Sequence, residues 1–316
     1  MRKTAALLVA FGMLAALTAC SGTASAQGCD SPITSGGASS VVTAAGELGS
    51  QPKVEFPTPV VTQKTQRTQL LPGDGPALQT GEPALVELTL LNGATGAVLT
   101  QTAYDGIGGS LITVGPSSFP SLSRGLKCAT VGSRVAIVGS AKDTHNGQAS
   151  EGQGIGADDS FVFVVDILKA FPAKADGNGQ VPEVGLPAVV LAPNGAPGIT
   201  VPHSSAPNEL KVALLQTGDG TKVADSDYVV LKYTAIAWAD GAVVDSTWKD
   251  GPAVVKEMVK SDTVPEGLVK GLVGKRTGSQ VLLVIPPKLA QGVTSAPTDA
   301  TLVYVVDILG IIPHSK

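Results

Sequence analysis

The side chains that most often carry chemistry are few in this chain and far apart. His145, His203 and His314 stand in loop-like or terminal contexts with no metal-ligand spacing, so solvated histidines and no metal or other cofactor are expected. The Gly-rich run from Gly147 to Gly156 lacks the strand-to-helix transition and following acidic residue of a dinucleotide site. Net charge is −4, and neither half has a Lys/Arg cluster with interleaved aromatics. Nucleic acid, whose binding draws on counterion release, is therefore not an expected partner. Tyr233 on an alternating strand and Asp245 beside a turn are ordinary in isolation, and whatever they do depends on the elements that bring them together.

The amino terminus reads as an address. Arg2 and Lys3 precede an apolar run, Thr4 to Ala19, too short to cross a ~30 Å hydrocarbon core comfortably, as in a signal peptide. Leu17-Thr18-Ala19-Cys20 resembles the bacterial lipobox, which implies cleavage after residue 20's predecessor, lipidation of Cys20 and a protein anchored outside the cytoplasm. The alternative is cleavage after Ala24-Ser25-Ala26 and release into the medium. Residues 1–20 are thus read as a lipoprotein signal peptide. Residues 21–52, rich in Gly, Ser, Ala and Thr, are read as a flexible tether. With Cys20 lipidated, Cys29 and Cys128 remain in an oxidising compartment, either as a disulfide or unpaired.

The body of the chain is written twice. Phe161-Val-Phe-Val-Val-Asp-Ile-Leu168 recurs as Leu302-Val-Tyr-Val-Val-Asp-Ile-Leu309, and each closes a segment of domain size. Three further pairs keep the same order: Leu70-Leu-Pro-Gly-Asp-Gly75 with Leu214-Leu-Gln-Thr-Gly-Asp-Gly220, Gly96-Ala-Val-Leu99 with Gly241-Ala-Val-Val244, and Gly125-Leu126 through Val138 with Gly271-Leu272 through Val284. A chain of 316 residues suits two cores of ordinary size, and a period this long means paired domains rather than a solenoid. With 38 Gly, 22 Pro and abundant Val and Thr, strands and turns are favoured over long helices. The expected fold class is α+β, mostly antiparallel. The first domain is placed at 53–170, a linker at 171–183 around Asp176-Gly-Asn-Gly179, and the second domain at 184–313.

In the second copy, Tyr228 to Trp238 is a β-rich run, Ala239-Asp240-Gly241 a turn and Ala242 to Ser246 the returning strand. Val281 to Ile285 and Thr301 to Ile308 are two more apolar strands, the former ended by Pro286-Pro287. Between them a short helix is predicted, capped by Asp262 or Thr263, with Pro265 in its first turn, Leu268 and Leu272 on one face and Gly274 at its end. One apolar helix face must lie on a sheet, so each domain should be a curved antiparallel sheet around one short helix.

Lys232-Tyr233-Thr234, Val244-Asp245-Ser246-Thr247, Val264-Pro265-Glu266-Gly267-Leu268 with Gly271-Leu272, Ile285-Pro286-Pro287 and Thr301-Leu302-Val303-Tyr304 resemble, in order, the FKBP-type, macrolide-binding peptidyl-prolyl isomerases. The resemblance spans nearly the whole second domain. It implies two tandem half-barrel sheets, each around a helix, and a prolyl pocket in which Tyr233, Asp245 and Tyr304 would be the catalytic set. Val244, Val255, Val264, Pro265, Leu268 and Gln291 would line the pocket, with Tyr233 and Asp245 as its polar rim. Leu268 stands where many members carry Trp, and Gln291-Gly292 where the family usually has Tyr followed by Gly. The loop from Val293 to Asp299 is shorter than the usual flap, so the pocket should be open on that side and activity low. In the first copy Leu88 and Thr100 take the tyrosine and aspartate positions, Phe163 keeps the aromatic, and Ile155 sits in a long flap from Gly139 to Asp159. That domain is expected to be catalytically silent.

The function these readings imply is a monomeric extracytoplasmic prolyl isomerase acting on proline-containing segments of exported proteins, touching the membrane through its lipid anchor alone. The alternative is a lipoprotein of the same fold that binds without turnover.

Overall fold

The computed structural model describes residues 29–31, 33–105, 109–115, 119–248, 254–258, 264–293, 295–297 and 299–312. The leader, Cys20, and the helix caps proposed at Asp262 and Thr263 lie outside them. Among the described residues no helix is long and apolar enough to cross a membrane.

In the first domain a short helix α1 (Gly37–Ser40) and a hairpin of β1 (Thr43–Ala45) and β2 (Lys53–Glu55) precede the main sheet. The sheet comprises β3 (Gln66–Leu71), β4 (Pro83–Asn92), β5 (Val98–Gln101), β6 (Ser110–Thr113), β7 (Arg134–Gly139) and β8 (Phe161–Ala170), with α2 (Pro120–Leu126) and α3 (Ala141–His145) between strands. Its order is β3-β7-β8-β4-β5, with β6 also on β4, all antiparallel. Every residue of β4 is buried, because both faces of this strand are covered. Alternate residues Ala84, Val86, Leu88 and Leu90 enter the core under α2, where they meet Leu122, Leu126, Ile137 and Phe163.

The second domain repeats this plan. Its strands are β9 (Asn178–Gly179), β10 (Ala188–Leu191), β11 (Pro197–Thr200), β12 (Lys211–Thr217), β13 (Tyr228–Ala237), β14 (Val243–Ser246), β15 (Val254–Glu257), β16 (Gln280–Ile285) and β17 (Leu302–Ile312), with α4 (Glu266–Leu272) before β16. The order β12-β16-β17-β13-β14, with β15 also on β13, is that of the first sheet. The correspondence extends to bulges, which fall between Leu85 and Val86 in one copy and between Val230 and Leu231 in the other. The α+β architecture expected from sequence is thus present in both halves. Helix α4 starts at Glu266 with Pro265 as its N-cap and ends before Gly274, which takes φ +84. Gly271 lets the helix lie directly on Leu283, as Gly125 of α2 lies on Ile137, and a methyl group at either glycine would collide with that side chain.

Two segments differ from expectation. The stretch read as tether, 21–52, is built into the fold from residue 33 onward. Val42 with the half-buried Ala44, Val54 and Phe56 covers the outer face of the first sheet over Val138, Val162 and Val164, and Cys29 is disulfide-bonded to Cys128. Low apolar content suggested disorder, but a sheet with two apolar faces needs only a few hydrophobic residues to close the second one. The first part of the linker, 171–177, is likewise packed, while 178–183 is exposed. Phe171 is buried against Gly310, and the Gly177 N–H donates to the Gly278 carbonyl. The adjoining β10–β11 hairpin covers the outer face of the second sheet, with Val189, Ile199 and Val201 over Val284, Val303 and Val305. Each repeat therefore includes its own outer hairpin, paired Thr43 to Glu55 in one and Ala188 to Thr200 in the other.

The domains meet at an apolar cluster of Leu85, Phe171, Val230, Leu309 and Ile312. The Lys169 ammonium donates across it to the Ile311 carbonyl at 3.0 Å.

Candidate functional site

Tyr233 lies on central strand β13 and Tyr304 on its neighbour β17, two positions apart in register, because Tyr304 pairs with Ala235. Period-two alternation therefore puts both rings on the concave face, with centroids 5.7 Å apart and planes tilted by 43°. Ala235 also pairs with Asp245 on edge strand β14, which carries the carboxylate to the rim of the same face. There the Tyr233 hydroxyl donates to Asp245 Oδ2 at 2.5 Å, the short range of a hydroxyl on a carboxylate. The Tyr233 backbone is locked as well: its N–H donates to Thr247 Oγ1 at 2.9 Å and its carbonyl accepts the Thr247 N–H at 3.0 Å. Burial and the Asp245 carboxylate push the Tyr233 hydroxyl well above the ordinary tyrosine range, and burial with the same carboxylate does so for Tyr304. Both remain protonated donors in neutral water.

Around this trio, Val264 and Leu268 join Tyr233 and Tyr304 in one buried cluster, and Val244 packs against it half-exposed. Pro265 is buried at the start of α4. Val255 on β15, expected in the pocket, instead pairs with Val230 of β13, which belongs to the apolar cluster between the domains and not to that of Tyr233, because successive strand residues alternate between faces. Gln291 is exposed on the turn that follows Pro287–Leu289, and the wall on that side consists of Leu289, Ala290, Val293 and Ala296. What results is an apolar floor with a carboxylate and a phenol at one edge, an arrangement for gripping an uncharged group and hydrogen-bonding beside it. Among the described residues no group of His, Cys, Asp and Glu could hold a metal ion.

The first domain places Leu88 opposite Val165 and Thr100 opposite Leu90, the register positions of Tyr233 and Asp245, with Phe163 at that of Tyr304. Its backbone lock persists, the Leu88 N–H donating to Thr102 Oγ1 at 3.0 Å. A cleft of about 710 Å³ opens between β5 and the flap. His145, expected to be solvated, is half-buried there instead. Its ring nitrogens lie 2.8 and 2.9 Å from the carbonyls of Gln148 and Asp159, and its ring stacks at 4.9 Å from Phe161.

Sequence reasoning also missed a polar row across each outer face. In the first domain Glu87, Asp166 and Arg134 are adjacent in register and all buried, with Arg134 Nε 2.5 Å from Asp166 Oδ1. In the second, Lys232, Asp307 and Gln280 occupy the same places, and Gln280 Nε2 donates to Asp307 Oδ1 at 2.7 Å. Each aspartate also accepts a backbone N–H from the segment covering its face, Gly49 in one domain and Ala175 in the other. The two aspartates sit in the repeated strand motif, which was the available signal. Nearby, Tyr104 hydrogen-bonds Thr89 at 2.7 Å, and burial raises its hydroxyl to about 12.

Residues 219–309 match the family described as FKBP-type peptidyl-prolyl cis-trans isomerase. The chain is similar to the FKBP-type peptidyl-prolyl cis-trans isomerase FkpA of Escherichia coli (strain K12), 33% identical over 106 residues, which cover 33% of this chain and 38% of that protein. It is 25% identical over 116 residues to a probable FK506-binding protein of Corynebacterium glutamicum, covering 36% of this chain and 96% of that one. The crystal structure of FkpA from Escherichia coli is 29% identical at a TM-score of 0.31, covering 42% of this chain and 53% of that chain. The matched region thus spans well under half the length of FkpA, and the family match falls within the second domain.

Proposed function

We propose that the second domain, whose residues 219–309 match the FKBP-type family, makes the chain an extracytoplasmic peptidyl-prolyl cis-trans isomerase assisting the folding of exported proteins. The observation that carries this reading is the convergence of Tyr233, Asp245 and Tyr304 on one apolar concave face. Rotation about an X-Pro bond is opposed by a barrier of ~18–20 kcal/mol from amide resonance. Resonance is strongest when water hydrogen-bonds the carbonyl oxygen. A floor of Val264, Leu268 and Tyr304 that seats the proline ring and removes that water makes the amide easier to twist, with no nucleophile needed. Val244 and Pro265 complete the wall, and Gln291 borders its open side. Asp245, held by Tyr233, provides a fixed dipole at the rim that acts on the twisted amide more than on the planar one. Each tenfold gain in rate requires about 1.4 kcal/mol of such preference.

The charged and apolar leader supports export, and Cys20 at the end of the lipobox-like run is the proposed lipid anchor. The working form is a monomer whose substrates are proline-containing segments. The exposed Gln291 and short flap favour one second reading, binding without useful turnover. A protease-coupled assay of the full mature chain on a prolyl tetrapeptide separates the two. Acceleration proportional to enzyme is expected, and none at micromolar concentration would leave the binding reading in its place.

A further inference from the structure

We propose that the first domain holds a separate client-binding site, a largely apolar cleft that takes an extended polypeptide segment by an apolar side chain, with no requirement for proline. The cleft of about 710 Å³ has Leu90, Leu99 and Phe161 as its floor, Ile155 of the flap as its roof, and Phe119 and Val98 at its mouth. Those two mouth residues are 41% and 54% exposed, large apolar surface that an occupant would remove from water.

Three observations select polypeptide as the occupant. Strand β5 ends its sheet, and among the described residues no strand pairs with its outer edge. An extended segment can therefore hydrogen-bond along Val98–Gln101 while sending one side chain into the cleft, which is how exposed sheet edges take peptides. The lining carries no carboxylate and no Lys or Arg, which fits a neutral apolar segment. Finally, the roof is already held in place. His145 lies with its two ring nitrogens 2.8 and 2.9 Å from the carbonyls of Gln148 and Asp159 and donates a ring N–H within this pair, while Asn92 Nδ2 donates to Gly154 O at 3.1 Å and to Asp159 Oδ2 at 2.8 Å. Binding then need not pay to order the flap. With Thr100 where the second domain has Asp245, this cleft lacks a rim carboxylate, so holding without isomerisation is its role.

The test uses the full mature chain and fluorescein-labelled Gly/Ser peptides carrying one Phe and no Pro, followed by anisotropy. Saturable binding is expected, insensitive to added salt, and weakened about tenfold in both Val98→Glu and Phe119→Ser. Val243→Glu, at the twin edge of the second domain, should leave it unchanged. Circular dichroism melts of each variant distinguish a lost site from a lost fold. Absence of saturable binding to wild type, or equal binding by Val98→Glu and Phe119→Ser, would overturn the proposal. Because the probe contains no proline, a failure of the isomerase reading leaves this result interpretable.

Discussion

The two domains agree in strand plan and backbone locks and disagree in the side chains of their concave faces. Both keep the strand order, the threonine lock on residue 88 or 233, and an aspartate of the last strand clamping the covering segment. They part at the rim, where Leu88, Thr100 and Phe163 face Tyr233, Asp245 and Tyr304. Features shared by both copies are those the fold needs whatever the site does. The Thr247 lock, which might be taken for catalytic positioning of Tyr233, is therefore structural, because its twin Thr102 locks a leucine. Features found in one copy only are where function should be sought.

The outer rows offer the harshest test of that division. Each row contains one cation, Arg134 in the first and Lys232 in the second, placed on different strands. Arg134→Gln would give the first domain the second domain's residue while leaving Asp166 buried without its cation. A loss of about 3–5 kcal/mol in denaturant unfolding of the first domain is expected. A near-neutral result would show the rows to be interchangeable.

Phe171→Ala comes next. It removes a buried ring that joins the domains, and a loss of about 3 kcal/mol is expected, with the two unfolding transitions separating in calorimetry. Retention of a single transition would place the coupling elsewhere.

A smaller effect is expected at Asp307, whose carboxyl burial pushes above its ordinary value despite the Ala175 N–H and Gln280. A carboxyl raised on folding contributes stability below its unfolded value and loses it as pH rises through the folded one. Asp307→Asn should therefore gain on wild type as pH rises from about 4 to neutrality in parallel urea titrations. A constant difference would mean that the hydrogen bonds fully offset burial. Least disruptive is a spectroscopic titration at alkaline pH. Tyr104, Tyr233 and Tyr304 should remain un-ionised through the ordinary tyrosine midpoint of 10.0, and their ionisation there would mean that the rings are wetter than the fold implies.

Sequence made the repeated strands, the hairpin turn at Asp240-Gly241 and the helix around Leu268 legible, since each has a strong period or turn signal. The rim residues were legible only as a set ordered along the chain. The outer hairpins were not, because β1 and β2 offer one or two small apolar residues each. A turn signal, Asn194-Gly195, did mark the second of them. The buried polar rows escaped because charged residues are ordinarily read as solvent-facing, and only pairing across three strands shows that Arg134 and Asp166 neutralise each other.

The central claim, that catalysis belongs to the rim the first domain lacks, is tested most directly by kcat/KM of Asp245→Ala on a prolyl tetrapeptide. A fall of about tenfold or more at an unchanged melting temperature is expected. Turnover equal to wild type, or a loss matched by lost stability, would return Tyr233 and Asp245 to the core and contradict the account.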